Sequence, residues 1–185
     1  MRDNLKSNRP QKRIKNIVRI ACALAMLGIA PVYASEYIGL HVPNAQPVGE
    51  GRLRVFFMDV YDATLFAPNG QFKGDEPFAI RLNYLRNITS QQISDRSAEE
   101  IRNQGFRNEV KLASWHSKMR RIFPDVKNGT VLTGIYTKEG VSIFYLDGKE
   151  SGRITDPDFG IYFFNIWLGE NTSAPTLRRR LLGAL

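Results

Sequence analysis

The sequence predicts an α+β domain, an antiparallel sheet with helices packed on one side of it. Three observations carry this. Residues 78–84, FAIRLNY, alternate, with Phe78, Ile80, Leu82 and Tyr84 on one face and Arg81 and Asn83 on the other, the pattern of a half-buried strand. Leu112, Trp115, Met119 and Ile122 recur at three- and four-residue steps and form one apolar helical stripe over 109–122. Asp147-Gly148 separates the runs VSIFYL and KESGRI, the signal of a tight hairpin.

The other elements follow in chain order. EYIGLHVP (36–43) reads as a first strand, and Asn44 to Gly49, with Pro47, as a turn. GRLRVFFMDVYDATLF (51–66) reads as one long strand that is apolar on both faces at its centre. It exceeds the usual five or six residues, so a bend or bulge is expected near Asp59 to Asp62. Ala67-Pro68-Asn69-Gly70 is a turn. Thr89 with Gln92, and Ser97 with Glu100, each fit a capping box. They predict a short helix and then a second one ending near Gly105. Pro124 stops the helix at 109–122. TVLTGIY (130–136), VSIFYL (141–146) and KESGRI (149–154) are strands. The length of FGIYFFNIWLG and its Asp156-Pro157 start favour a buried helix, though its aromatics suit a strand as well, and Pro175 to Gly183 is a last helix.

The chain has 185 residues and a formal charge of +8, which is unevenly spread. Residues 1–19 hold seven basic side chains and one acid, and an apolar run over 20–35 follows. A basic start, a short apolar run and small residues at its end predict a secretory signal peptide over 1–34, cleaved between Ala34 and Ser35. A domain over 35–185 in the periplasm or outside the cell is then expected. Removing residues 1–34 leaves a formal charge of +2, so the basic balance is no argument for nucleic-acid binding. The single cysteine, Cys22, lies in the signal segment, which excludes disulfides and thiol chemistry from the remainder. His41 and His116 have no ligand-like spacing, so neither a metal nor any other cofactor is expected. A G-x-S-x-G elbow and a phosphate-binding glycine loop are both absent from the sequence.

Since an unpaired buried carboxylate is costly, Asp59 or Asp62 in so apolar a stretch sits at an exposed strand end, caps a bend or takes a basic partner. Arg52 and Arg54 supply that partner in a structural reading. In a functional reading the arginines and Tyr61 form the polar end of an apolar cleft that orients a ligand carboxylate or oxyanion. Tyr84, on the next strand, is a second tyrosine for that end.

The segments VGEGRLRVFFMDVYDATLF, FAIRLNYLRNI, FPDVKNGTVLTGIY and DFGIYFFNIWLGENTSAPTLRRRLLG together resemble the bacterial chalcone isomerase-like family, from about Val48 to Gly183. The resemblance implies an open-faced β-sandwich whose sheet is covered by helices, with a ligand cleft between them. Plant members of the fold close a flavanone ring with an Arg, a Thr and a Tyr. Related plastid proteins hold fatty acids in the same cleft with an Arg and a Tyr. Tyr61 falls where the plant enzyme has its Thr, as in the fatty-acid-binding relatives, and the Arg of the family falls at about Leu53, between Arg52 and Arg54. The resemblance therefore implies a non-catalytic binder of a fatty acid or similar small apolar acid, with Arg52 or Arg54 and Tyr61 at its site, to which the position of Tyr84 on the next strand adds a second tyrosine. Two other readings stand beside it. One is an intramolecular lyase or isomerase acting on an enone. The other is an envelope accessory protein with a protein partner.

Overall fold

The computed structural model describes residues 36–184, so the expected signal segment and its Ala34–Ser35 cleavage point lie outside the described residues. One helical turn, α1 (Glu36–Gly39), leads into a hairpin of β1 (Ala45–Val55) and β2 (Met58–Pro68), then β3 (Phe78–Tyr84). Helices α2 (Ser90–Asn103) and α3 (Glu109–Ile122) precede β4 (Val131–Tyr136), β5 (Ser142–Leu146) and β6 (Lys149–Ile154), and α4 (Pro157–Leu168) and α5 (Pro175–Leu181) close the fold. The six strands form one sheet in chain order, each antiparallel to the last. This is the α+β architecture that the sequence predicts.

The sheet's inner face and the four longer helices share one core. Ala63, Leu65, Ile80, Leu82 and Phe144 of the strands meet Ile101, Leu112, Trp115, Met119, Phe159 and Phe163 of the helices. The outer face carries a smaller cluster. There Ile38 and Val42 pack on Phe66, Ala79, Ile135, Ile143 and Tyr145. Two glycines on the edge strand β1 let α5 approach. A Cβ at Gly49 would strike the Arg180 carbonyl oxygen, and one at Gly51 would lie 2.8 Å from Leu177 Cδ1.

Local chemistry accounts for the element ends. Thr89 and Gln92 form the expected capping box on α2, and Asn108 caps α3. Asp156 caps α4 at the amide of Asp158, with Pro157 in the first turn. Asp147 and Gly148 both take positive φ, as a tight hairpin with this sequence requires.

Four expectations are corrected. Residues 36–43 are a helical turn and not a strand. Ile38 and Val42 use the four-residue spacing to reach the sheet, while Leu40, which completes the alternating pattern, is exposed. Residues 45–49 belong to β1 and not to a turn. Pro47 is tolerated because β1 is an edge strand, where a missing amide proton costs no ladder bond. Residues 51–66 are two strands joined at Phe56-Phe57, and no Gly, Asn or Pro marks that turn. Residues 90–103 are one helix. Ser97 is not a cap but bonds back to the Ile93 carbonyl at 2.8 Å, and Glu100 turns inward.

Candidate functional site

The hairpin of β1 and β2 fixes which side chains can meet. Leu53 stands opposite Tyr61 and Arg52 opposite Asp62, but Arg54 stands opposite Asp59, so Val60 is an extra residue in β2. This bulge falls in the expected interval. Its effect is to put Asp59 and Asp62 on the same side as Arg52 and Arg54. Arg52 Nε donates to Asp62 Oδ1 at 2.7 Å and its Nη1 to Asp59 Oδ2 at 2.9 Å, while Arg54 Nε donates to Asp59 Oδ1 at 2.7 Å. Hydrogen bonds from Arg54, then Arg52, hold the Asp59 carboxyl below the usual range although burial works against them. The structural Asp–Arg network of the sequence reading is therefore present. Strand alternation places it on the face opposite Leu53 and Tyr61, at the rim of the cleft.

The cleft lies between the inner sheet face and helices α2, α4 and α5, with a volume of about 1200 Å³. Leu53, Val60, Leu82, Ile93, Phe163 and Ile166 give it apolar walls. Tyr61 and Tyr84 stand directly opposite in register, with ring centroids 5.7 Å apart in an edge-to-face arrangement. The structure thus joins the two predicted tyrosines in one site. It keeps Arg52 and Arg54 in ion pairs at the rim.

The hydrogen-bond directions at the tyrosines decide what they offer a ligand. Trp167 Nε1 donates to the Tyr61 hydroxyl oxygen at 2.9 Å, so the Tyr61 proton is left to donate elsewhere. Among the described residues, neither the Tyr61 nor the Tyr84 hydroxyl donates to a protein acceptor. Burial pushes both phenols well above their ordinary value; at Tyr61 the Trp167 indole opposes this and the Glu100 charge adds to it, and at Tyr84 the neighbouring Tyr61 adds to it. Both stay protonated across the physiological range. They are donors, not bases.

Sequence reasoning missed a second polar group on the cleft wall. Glu100 is 4% exposed on α2 and accepts from Arg96 on the same helix and from Ser173 Oγ at 2.6 Å. Ser173 lies in the loop between α4 and α5, so the Glu100 carboxylate ties that loop to α2. The Arg96 and Glu100 charges are both felt at Tyr61. The only available signal was the four-residue Arg96–Glu100 spacing, and the capping-box pattern over 97–100 competed with it. Trp167 lies in the helix that the sequence expects to be buried. It is buried as expected, but its indole nitrogen also serves the site.

Other expected roles are placed as well. His116 Nε2 lies 2.6 Å from Asp95 Oδ1 at the α2–α3 surface. Among the described residues no group of three or more potential ligands could hold a metal, and no helix is long and apolar enough to cross a membrane. Arg178 donates to the Leu168 carbonyl at 2.8 Å, while Arg179 and Arg180 are exposed.

Residues 46–183 match a family model described as chalcone isomerase-like. Among solved structures, the fatty-acid binding protein of Arabidopsis thaliana is similar. Its TM-score is 0.60 over 76% of this chain and 88% of that chain, at 13% sequence identity. That likeness shows a common fold. No curated protein matches this chain in sequence.

Proposed function

The chain belongs to the chalcone isomerase-like family, and we propose that its cleft binds a fatty acid or similar small apolar acid without turning it over. One observation carries the reading. Two buried phenols, paired edge to face in the lining of a largely apolar cleft of about 1200 Å³, have no protein acceptor for their protons. An ionised carboxylate is an acceptor-only group and takes both donors, while the acyl chain fills the apolar remainder. Arg96 also lines the cleft, but Glu99 and Glu100 pair with it, so the two phenols carry the head-group reading. The named ligand of the Arabidopsis protein of the same fold supports the choice of a fatty acid. The raised phenols speak against either tyrosine as a general base and leave both as hydrogen-bond donors. The proposal includes export. Residues 1–34 serve as a cleaved signal, and the domain works in the periplasm or outside the cell, as in the secreted bacterial branch that the sequence resembles.

Displacement titrations with cis-parinaric acid, a naturally fluorescent fatty acid, test the head-group site. Tyr61→Phe with Tyr84→Phe removes two hydrogen bonds to a charged group, each worth about 1.5–3 kcal/mol, so affinity falls by about a hundredfold or more. The alcohol of the same chain length binds the wild type more weakly than the acid and is less affected by the double variant. Equal affinity for acid and alcohol, unchanged in the variant, would reject the carboxylate site. Native mass spectrometry of the exported protein reads both the mass of any held acid and the cleavage after Ala34.

A further inference from the structure

The hairpin of β1 and β2 ends in a side-chain arrangement that the core does not explain. Val55, Phe56, Phe57 and Met58 are consecutive and all exposed, with Phe56 at 87% and Phe57 at 97%. The other exposed large apolar side chains among the described residues, Leu40, Val110 and Ile161, are scattered singly, which is ordinary for a protein surface. The turn is also built against local preference. Val55 pairs with Met58, so Phe56-Phe57 is a two-residue loop, and Phe56 takes φ 55°. A first loop position in that conformation favours glycine. An aromatic residue there costs conformational energy, and its ring gains no packing in return.

We propose that this tip is a bilayer-insertion element that seats the mouth of the cleft on a lipid surface. The tip is convex and two residues wide. It has no concave partner surface to match, and a fluid acyl phase requires none. Phenyl and thioether side chains partition into the headgroup–acyl boundary, and cations beside them meet anionic lipid phosphates. Arg86 provides such a cation. It is exposed, its Nη1 lies 3.1 Å from Met58 Sδ, and it has no acidic partner among the described residues. The guanidiniums of Arg52 and Arg54 are held just behind the tip by Asp59 and Asp62. Val55 and Phe56 also line the cleft, so insertion brings the cleft opening to the surface where acyl chains reside. Docking stands on the hairpin alone. Exchange of an acyl acid between bilayer and cleft rests on the function proposed above.

The test places a local reporter in the full chain. Phe57→Trp is mixed with phosphatidylcholine vesicles, with and without phosphatidylglycerol. The buried Trp115 and Trp167 background is taken from the wild type. The tip indole is expected to shift to the blue and to be quenched by lipids brominated along their acyl chains, more strongly on anionic vesicles. Val110→Trp, on α3 beside the far edge strand β6, keeps its aqueous emission. Membrane binding through any other segment leaves the tip reporter unmoved and overturns the proposal. So does a blue shift that needs no vesicles and grows with protein concentration, which means that a second copy covers the tip. Phe57→Asp is then expected to slow uptake of cis-parinaric acid from vesicles about tenfold or more while leaving its affinity for the free acid unchanged. Unchanged uptake overturns the exchange step. Failure of the wild type to bind the free acid defeats the function reading and leaves the indole result to judge the docking.

Discussion

At the scale of single residues, the site depends on which groups already have partners. Arg52 commits Nε, Nη1 and Nη2, and Arg54 its Nε, to Asp59 and Asp62, whereas the Tyr61 and Tyr84 protons are unspent. Arg52→Ala with Arg54→Ala is therefore expected to change fatty-acid affinity by no more than about twofold, because a charge satisfied by its own partner gains little from a third group. The same pair loosens the hairpin, so faster amide exchange at residues 52–62 accompanies the small affinity change. A tenfold affinity loss would return the carboxylate to the arginines. Tyr61 was legible through the family resemblance and Tyr84 only as the tyrosine on the next strand; that they stand directly opposite in register was not. The Asp–Arg network was legible from carboxylates and arginines close together in so apolar a stretch, although Asp59 and Asp62 stand half exposed at the rim rather than buried. Glu100 was not, since a local capping pattern explained it equally well. The Trp167–Tyr61 bond was not either, because it joins a helix to a distant strand and has no periodicity.

At the scale of elements, Asp156 holds two helices together. It caps α4 through the Asp158 amide and accepts from Trp115 Nε1 of α3 at 3.0 Å, with Lys111 Nζ at 3.1 Å. Asp156→Ala removes the cap and orphans a buried indole donor, so unfolding in denaturant is expected to show a loss of about 2–4 kcal/mol. Burial alone would raise the Asp156 carboxyl, but the Trp115 and Lys111 donors outweigh it and hold it below its usual range. A depressed carboxyl stabilises the fold fully above its unfolded value, roughly 4, and loses that contribution as pH falls through the folded value. Acid titration of stability is thus expected to be shallower in Asp156→Asn than in the wild type below about pH 4. The elements were legible wherever punctuation or periodicity was strong: α3, β3, the Asp147-Gly148 hairpin and the Asp156-Pro157 helix start all stand where the sequence puts them. The first hairpin was not legible, because its turn consists of phenylalanines where chemistry favours glycine. The α1 turn was misread because apolar residues at 38, 40 and 42 fit a strand as well as a helix.

At the scale of the molecule, a cleft roofed by helices from separate stretches of chain gives ligand and fold a common free energy. An acid at one hundred times its dissociation constant adds about 2.7 kcal/mol to stability. For a domain of this size the melting midpoint should rise by about 5–10 °C, and calorimetry with and without the acid reads it directly. The Tyr61→Phe, Tyr84→Phe variant should show little of that rise at the same concentration. Gly49 and Gly51, near the beginning of the fold, receive α5 from its end. The order of synthesis then matters. On the ribosome β1 to β3 emerge before α2 and α3, and β4 to β6 before α4, but the flank of β1 at Gly49 and Gly51 stays unwalled until residues 175–181 arrive. A chain cut before Pro175 is therefore expected to leave that flank of β1 uncovered and to be cleaved by added protease faster than the full chain.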